Sequence, residues 1–431
     1  MVCIQSVRHR QAFLCSIACL LGVVAGHSND ALVIIPLDKQ YVPIHRNEQV
    51  VAYKTAYFGQ VFVGFPQPQA FSVVFDTGSG HFFLPSSMCQ SEACQVHRKY
   101  NESVSKSAKL IDHTGQEVGP DTERDEVSVS FGTGEILGSF VEEVICFRES
   151  QGEKAPGCAT ARLVTAHQMT EEPFKNFGFD GVMGLGLASL AVDPRFSVFE
   201  QMARMNGPRF TPQFGYFISE DDAVPSEICF GGHDVRHMNS ALQWAPVHDP
   251  HKGFWQVKII RVSVDGVELP HCSDGSCVAI ADTGTSLLGA PRQIAQQLHR
   301  LLARKVPETK EANLNCQDVT GPELAFELEG GVRISLGGRE YSRAAPMKIV
   351  TKQKEEHTVC RASLLPVDPT PALGSSAFIL GEPMLRKYYS VYDWEKQRVG
   401  FALAKPGVPT GPPVHTVYGM PDAVASSTVH V

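Results

Sequence analysis

Val73-Val74-Phe75-Asp76-Thr77-Gly78-Ser79 is the stretch that decides the fold of this chain. Its first three residues are β-branched or aromatic, and a short apolar run followed by turn formers predicts a buried strand. Asp76 ends that strand. A carboxylate placed against a core needs hydrogen-bond donors, because an unpaired buried charge is costly. Alone, however, Asp-Thr-Gly is also the pattern of an ordinary tight turn.

A second copy of the pattern gives it more weight. Val278-Ala279-Ile280-Ala281-Asp282-Thr283-Gly284-Thr285-Ser286 again runs from an apolar strand into Asp-Thr-Gly and hydroxyl residues. Two such stretches predict two half-molecules, each of which contributes one acid to a shared site.

Length and composition set the broad class. A chain of 431 residues is too long for one compact core and predicts two domains with terminal extensions. The net charge of −8 and the lack of a basic stripe argue against a nucleic-acid partner. The 37 Gly and 28 Pro, with few long periodic segments, favour a β-rich fold with many turns.

The N-terminus predicts a signal peptide over residues 1–26. Arg8 and Arg10 form a basic flank, residues 12–25 are almost wholly apolar, and small residues follow. An uncleaved signal anchor is the alternative. No later apolar stretch approaches the ~20 residues of a membrane span, so we expect no span after cleavage. Three of the 12 Cys lie in this leader, and the nine others predict an oxidising compartment.

The rest of the chain divides into four segments. Residues 27–50 are expected to be a short propeptide or N-terminal extension. Residues 51–222 form the half with Asp76, and residues 223–404 form the half with Asp282, with the polar stretch 219–225 between them. Residues 405–431 have no periodicity and are predicted to be a disordered tail. Helices are expected at 197–205 and 292–304, from their apolar faces.

Residues 127–138 predict a β-hairpin. Apolar and polar residues alternate up to Phe131, Gly132-Thr133-Gly134 forms a turn, and the alternation resumes. The plain interpretation is a structural hairpin. The alternative is a mobile lid, whose glycines let its backbone approach a substrate.

Other chemistries lack their motifs. The sequence has no Cys-x-x-Cys or His-Glu-x-x-His spacing for zinc and no Gly-x-Ser-x-Gly for a serine nucleophile. The glycine-rich stretch 179–187 lacks the Lys-Ser/Thr of a phosphate-binding loop. We therefore expect no metal and no cofactor.

Five motifs occur in the same order as in pepsin-type (family A1) aspartic proteases, which the chain resembles over roughly residues 50–403. They are Phe75-Asp-Thr-Gly-Ser79, Ser-Phe-Gly-Thr-Gly at 130–134, Phe179-Asp-Gly-Val-Met-Gly-Leu-Gly186, Ala281-Asp-Thr-Gly-Thr-Ser286 and Phe378-Ile-Leu-Gly381. The first motif and the short prosegment look like those of alveolate protists. The resemblance implies a mostly β, bilobal fold, with the active-site cleft between two pseudo-symmetric lobes.

The same resemblance implies a role for each matching residue. Asp76 and Asp282 would be the catalytic pair. The residues that would support the pair are Thr77, Gly78, Ser79, Thr283, Gly284 and Thr285. The residues that would form the lid (the flap) or contact substrate are Phe83, Phe131, Gly132, Thr133, Phe179, Val182, Ile280, Ser286 and Ile379. Since most of these side chains are apolar, we expect apolar or aromatic substrate residues at the scissile bond.

The cysteines fit the family in part. By resemblance, the expected disulfides are Cys89–Cys94, Cys272–Cys277 and Cys316–Cys360, although the second loop is one residue wider than in the vertebrate gastric enzymes. Cys146 and Cys158 bound a polar loop that a fourth disulfide could close. Cys229 would then be a buried free thiol.

Two further departures concern the lid and the prosegment. Phe131 stands where the family usually has Tyr, and Phe83 where it usually has Trp, so we expect the two rings to touch instead of hydrogen-bonding. Zymogens of the family often place a basic prosegment residue against the acids. Here Lys39 is the first candidate for that contact and Arg46 the second, and we expect only weak autoinhibition from so short a segment.

The resemblance implies an aspartic endopeptidase that acts on polypeptides at acidic pH. A non-catalytic binder or inhibitor is the alternative, but such relatives usually lose an Asp or a neighbouring Gly, and both motifs are intact here. The resemblance also implies inhibition by pepstatin-like compounds and a monomer. The compartment would be the secretory pathway, with the protein secreted or held in an acidic endomembrane or vacuolar compartment.

Overall fold

The computed structural model describes residues 32–46, 49–119, 122–150, 152, 155–306, 314–350, 356–406 and 428–430. The predicted signal peptide and most of the predicted tail therefore lie outside the described residues. These described residues all belong to one compact unit. The predicted mostly β fold is confirmed.

Twenty-six strands are present among the described residues. The strands before the middle of the chain are β1 (Val33–Arg46), β2 (Gln49–Val63), β3 (Gln69–Asp76), β4 (Phe82–Pro85), β5 (Lys109–Ile111), β6 (Glu126–Phe131), β7 (Gly134–Cys146), β8 (Cys158–Met169), β9 (Gly181–Gly184), β10 (Gln213–Phe217) and β11 (Ser226–Phe230). The later strands are β12 (Gln243–Pro246), β13 (Gln256–Val264), β14 (Val267–Glu268), β15 (Val278–Ala281), β16 (Leu288–Pro291), β17 (Arg304–Lys305), β18 (Leu324–Leu328), β19 (Val332–Leu336), β20 (Met347–Val350), β21 (Glu356–Cys360), β22 (Leu364–Val367), β23 (Ala377–Leu380), β24 (Tyr388–Asp393), β25 (Arg398–Leu403) and β26 (Thr428–His430).

Helices are short and few by comparison. They are α1 (Glu92–Gln95), α2 (Val198–Asn206), α3 (Arg292–Leu301), α4 (Gly338–Tyr341) and α5 (Glu382–Lys387). Ser197 begins α2 by accepting a hydrogen bond from the Glu200 N–H, the usual role of a serine N-cap. The predicted end of α3 was wrong by three residues, because Arg304 already pairs with Cys360 of β21.

The strands form three sheets of 14, 8 and 4 strands. The largest runs in the order β12-β25-β24-β10-β11-β1-β2-β3-β9-β4-β8-β7-β5, with β6 paired to β7. The second runs β19-β18-β13-β15-β23-β16-β22, with β14 paired to β13, and the third runs β17-β21-β20-β26. β1 therefore lies inside the largest sheet, between β11 and β2, and β26 adds three tail residues to the edge of the third.

The two predicted half-molecules share one strand arrangement around their acids. β3 pairs in parallel with β9, β9 pairs antiparallel with β4, and β4 pairs in parallel with β8. In the second half, β15 pairs in parallel with β23, β23 antiparallel with β16, and β16 in parallel with β22. Each acid-bearing loop thus leaves its sheet beside a parallel neighbour.

The acid-bearing strands are anchored by one hydrophobic core. Val73 and Phe75 of β3 and Ala279 and Ala281 of β15 all belong to it. All four residues are fully buried, with 0% exposed area. Packing from both halves therefore fixes the two strands that end at the acids.

Candidate active site

The two Asp-Thr-Gly loops meet through their threonines. The N–H of Thr77 donates to the Thr283 hydroxyl oxygen at 3.0 Å, and the N–H of Thr283 donates to the Thr77 hydroxyl oxygen at 3.0 Å. Each hydroxyl then donates across the interface, Thr77 Oγ1 to the Ala281 carbonyl at 2.8 Å and Thr283 Oγ1 to the Phe75 carbonyl at 2.6 Å. These four bonds are buried, so they set the relative position of the acids firmly.

The glycines let the two loops approach each other. A Cβ on Gly78 would lie 2.9 Å from the Asp282 carboxyl atoms, and one on Gly284 would lie 2.4 Å from Asp76 Oδ1. No side chain fits in that space. The Gly78 N–H donates to Asp76 Oδ1 at 2.9 Å, and the Gly284 N–H donates to Asp282 Oδ1 at 2.8 Å.

The outer oxygens of the acids differ between the halves. The Thr285 hydroxyl donates to Asp282 Oδ2 at 2.7 Å. The corresponding Ser79 hydroxyl is buried and forms no hydrogen bond of ordinary geometry with a described residue, although it lies near enough to Asp76 to favour its charged form. Asp282 therefore accepts one more hydrogen bond from a hydroxyl than Asp76 does.

The electrostatics agree with that asymmetry. Burial, and then the charge of Asp282, raise the pKa of Asp76 to about 7. Burial also raises the pKa of Asp282, but the Thr285 hydroxyl and the Gly284 N–H oppose the rise. The two carboxyl groups interact directly and titrate as a pair, and Asp76 is the group favoured to hold their shared proton.

The glycine-rich stretch after Phe179 supports the first acid loop. The Leu185 N–H donates to the Asp76 carbonyl at 2.7 Å, and the Gly186 N–H donates to the Ser79 carbonyl at 2.8 Å. In the second half, the Glu382 N–H donates to the Thr285 carbonyl at 2.9 Å. The glycines of the 179–187 stretch permit close packing, since a Cβ on Gly184 would lie 2.6 Å from backbone atoms of Gly80 and His81.

The hairpin predicted at 127–138 is formed by β6 and β7, with Gly132 and Thr133 as its exposed tip. Gly132 has φ +60°, which favours glycine there. The Phe131 and Phe83 rings meet edge to face with centroids 6.4 Å apart, so the expected ring contact is confirmed. Phe174, which the sequence did not single out, contacts both rings.

The remaining predicted pocket residues fall in separate places. Phe83, Phe131, Phe179 and Val182 share one hydrophobic cluster beside the hairpin. Ile280 belongs to another cluster with Phe254, Val278 and Ala377, and its parallel partner Ile379 is only partly buried. Since Val182 and Ile280 have 0% and 2% exposed area, neither side chain is open to a substrate in this conformation.

Ser286 has a contact that the sequence did not reveal. Its hydroxyl accepts from the Thr55 N–H at 3.1 Å and donates to the Thr55 carbonyl at 2.8 Å. Strand β2 is thereby joined to the loop of Asp282. The residues are 231 positions apart, so no local pattern could indicate the contact.

Lys39 does not reach the acids in this structure. Its ammonium group lies 2.7 Å from Asp222 Oδ1, and the Tyr41 hydroxyl donates to Asp222 Oδ2 at 3.0 Å. The Arg46 side chain lies outside the described residues. Among those described, no Lys or Arg forms an ion pair with Asp76 or Asp282.

The disulfides agree with the predicted pairs. The described residues contain Cys89–Cys94, Cys146–Cys158, Cys272–Cys277 and Cys316–Cys360. Cys229 is a buried free thiol, 3.4 Å from the Tyr389 hydroxyl oxygen. His81 is likewise structural, because its Nε2 accepts the Val192 N–H at 3.1 Å.

One described group could in principle bind a metal ion. Potential ligand atoms of Glu227, Asp234 and His237 lie within 4.8 Å of one another. Both oxygens of Asp234 already accept from Arg236, and His237 Nε2 hydrogen-bonds to Glu227. These atoms satisfy one another without an ion.

Comparisons with known proteins cover nearly the whole described chain. A model of the family described as eukaryotic aspartyl protease matches residues 56–404. The chain is 32% identical to cathepsin E of Rattus norvegicus over 363 residues, 84% of this chain and 83% of that protein. It is 30% identical to gastricsin of Homo sapiens (83% of this chain, 84% of that protein) and 32% identical to embryonic pepsinogen of Gallus gallus (81% and 80%). No described helix has the length and apolar character needed to cross a membrane.

Proposed function

The chain belongs to the eukaryotic aspartyl protease family and is an aspartic endopeptidase, and on that premise we propose that Asp76 and Asp282 are its catalytic pair. The observation that carries this assignment is the reciprocal threonine contact. It brings the two carboxyl groups together at the end of one strand from each half, so close that a Cβ on Gly284 would touch both.

In the proposed reaction, Asp282 starts ionised and Asp76 protonated. A water molecule between them gives a proton to Asp282 and attacks the peptide carbonyl. Asp76 donates its proton to the developing oxyanion, so no charge remains on the tetrahedral intermediate. Asp282 then gives its new proton to the leaving nitrogen, while Asp76 takes a proton back from a hydroxyl of the intermediate. The C–N bond breaks to give a carboxylic acid and an amine, the pair returns to its starting state, and no covalent enzyme intermediate is needed.

The supporting residues have distinct proposed roles. Gly78 and Gly284 hold the inner carboxyl oxygens through their N–H groups, and Thr285 holds the outer oxygen of Asp282. These bonds keep both carboxyl groups oriented toward the water throughout the reaction. The hairpin 127–138 is the proposed lid, which excludes bulk water when substrate binds.

The substrate class follows from the cluster beside the lid. Its partly exposed aromatic members, Phe131 and Phe177, offer no charged partner, so a polypeptide with an apolar or aromatic residue at the scissile bond is the proposed substrate. The proposed inhibitors are pepstatin-like peptides. We propose that the protein is a monomer. We also propose that it works outside the cell or in an acidic compartment of the secretory pathway, because the pair must keep one proton.

The test is cleavage of an acid-denatured protein between pH 3 and 7, with and without pepstatin. Asp76→Asn and Asp282→Asn should each abolish cleavage, since either change removes one half of the proton relay while preserving shape. Asp368→Asn is the control, because among the described residues this exposed acid forms its ion pair with Arg292, away from the two acids. Retained turnover in either active-site variant would disprove the assignment.

A further inference from the structure

The lid rests on a short aromatic platform whose role the family motifs do not describe. The platform is the segment 170–178, which includes the 3-10 helix Phe174–Asn176. The Phe174 ring stacks on Phe131 with centroids 6.3 Å apart and an interplanar angle of 23°, and it meets Phe83 edge to face at 5.9 Å. Phe174 thus contacts both residues that lack the family's usual polar atoms.

The far side of the lid contacts the platform as well. A Cβ on Gly134 would lie 2.6 Å from Phe174 Cε2 and 2.6 Å from Pro173 Cδ, so the backbone of β7 runs directly over these two side chains. Glu135 adds two hydrogen bonds. Its N–H donates to Thr170 Oγ1 at 3.2 Å, and its carbonyl accepts the Thr170 N–H at 3.1 Å.

Hydrogen bonds with His97 and Gln40 hold the backbone of the platform. His97 Nε2 donates to the Phe174 carbonyl at 2.8 Å. Gln40 of β1 donates to the Asn176 carbonyl at 3.1 Å and accepts the Gly178 N–H at 2.7 Å. Phe174 is 2% exposed and cannot move without breaking these contacts. A buried ring on a backbone held in this way is suited to position the Phe131 ring that stacks on it.

We propose that Phe174 is the residue that positions the lid, with its stacked ring replacing the hydrogen bond that Phe131 and Phe83 cannot form. Phe174 is a positioning residue rather than a catalytic one, because it acts through Phe131. The proposal rests on the proposed function in one respect, namely that the hairpin covers the cleft at Asp76 and Asp282.

The chemistry of the contact gives it two expected properties. Ring stacking involves no titratable group, so it holds the lid equally well at every pH at which the acids work. It is also less directional than a hydrogen bond, so the lid can shift while remaining in contact with substrates of different size.

The experiment is a double-mutant cycle of Phe131→Leu and Phe174→Leu, measured as kcat/KM and as hydrogen exchange of the lid amides at 130–135. Each single change should lower kcat/KM by about 2- to 12-fold, the energy of one aromatic pair expressed as a ratio. The double variant should lose little more than either single one, because both remove the same contact. Lid exchange should rise in all three.

Phe210→Leu is the matched control. Phe210 is also buried, it packs in the main core rather than in the cluster beside the lid, and its described aromatic partner is Phe199, so Phe210→Leu removes the same atoms without touching the lid. It should lower thermal stability comparably while leaving lid exchange unchanged. The proposal would be overturned if the double variant lost kcat/KM by the product of the two single losses. It would also be overturned if Phe174→Leu left lid exchange unchanged. Since exchange is measured without substrate, it remains decisive if Asp76→Asn disproves the catalytic assignment.

Discussion

Thr77 and Thr283 exchange backbone-to-hydroxyl hydrogen bonds of equal length, 3.0 Å in each direction. Their hydroxyl oxygens lie 3.4 Å apart, at the centre of the contact between the two acid loops. Each threonine also ties the other half's strand through a carbonyl. The contacts of Thr77 and Thr283 are therefore symmetric, whereas Asp76 and Asp282 differ in their hydrogen bonds.

Thr283→Val should destabilise the protein strongly. It preserves shape but leaves the Thr77 N–H and the Phe75 carbonyl without partners, and each unpaired buried group costs about 1–3 kcal/mol. We expect a loss of roughly 2–5 kcal/mol in the free energy of unfolding, measured in urea. Thr285→Val is the control, with a smaller loss and a raised pKa of Asp282 in the activity profile. Equal losses in the two variants would contradict this account.

Stability should depend on pH through Asp76. Its folded pKa is raised to about 7, above the unfolded value near 4, so folding favours its protonated form. The stabilisation is fully present below about pH 4 and disappears as pH rises through about 7. Asp76→Asn lacks this dependence. Its stability relative to the native sequence should therefore rise by roughly 1–4 kcal/mol between pH 4 and pH 8, measured by urea unfolding. A constant difference across that range would exclude the shift.

The N-terminal segment should inhibit weakly. Lys39 pairs with Asp222, and no cation among the described residues pairs with the acids. Protein beginning at Ser28 should cleave a peptide substrate while its intact mass shows residues 28–50 still attached. Complete latency until those residues are removed would refute this prediction.

Cys229 should be inert in the native protein. Burial raises the pKa of its thiol to about 11, and only the thiolate reacts with alkylating agents. Iodoacetamide at pH 8 should leave the folded protein unlabelled and add one group after unfolding without reductant. Peptide mapping would locate that group, and its absence after unfolding would mean that Cys229 is disulfide-linked. Labelling of the native protein would show that the thiol is accessible.

The sequence by itself determined the parts of this protein that depend on local pattern and on internal repetition. The strand before Asp76, the hairpin around Gly132 and the duplicate at Asp282 are all short-range features. Their side-chain periodicity records which face is buried, and their glycines mark where backbones approach. The family match then confirmed the fold and the activity that these motifs imply.

Tertiary structure alone decided how distant segments meet. Phe174 stacks on a lid 43 positions earlier, Ser286 bonds Thr55 across 231 positions, and Lys39 reaches Asp222 rather than the acids. Ser79 and Thr285 occupy equivalent places in their motifs, yet only Thr285 hydrogen-bonds its acid. A sequence pattern shows which interactions a residue is able to form. Which partner it contacts depends on the packing of the whole chain, because hydrogen bonds and ring contacts act only over a few ångströms.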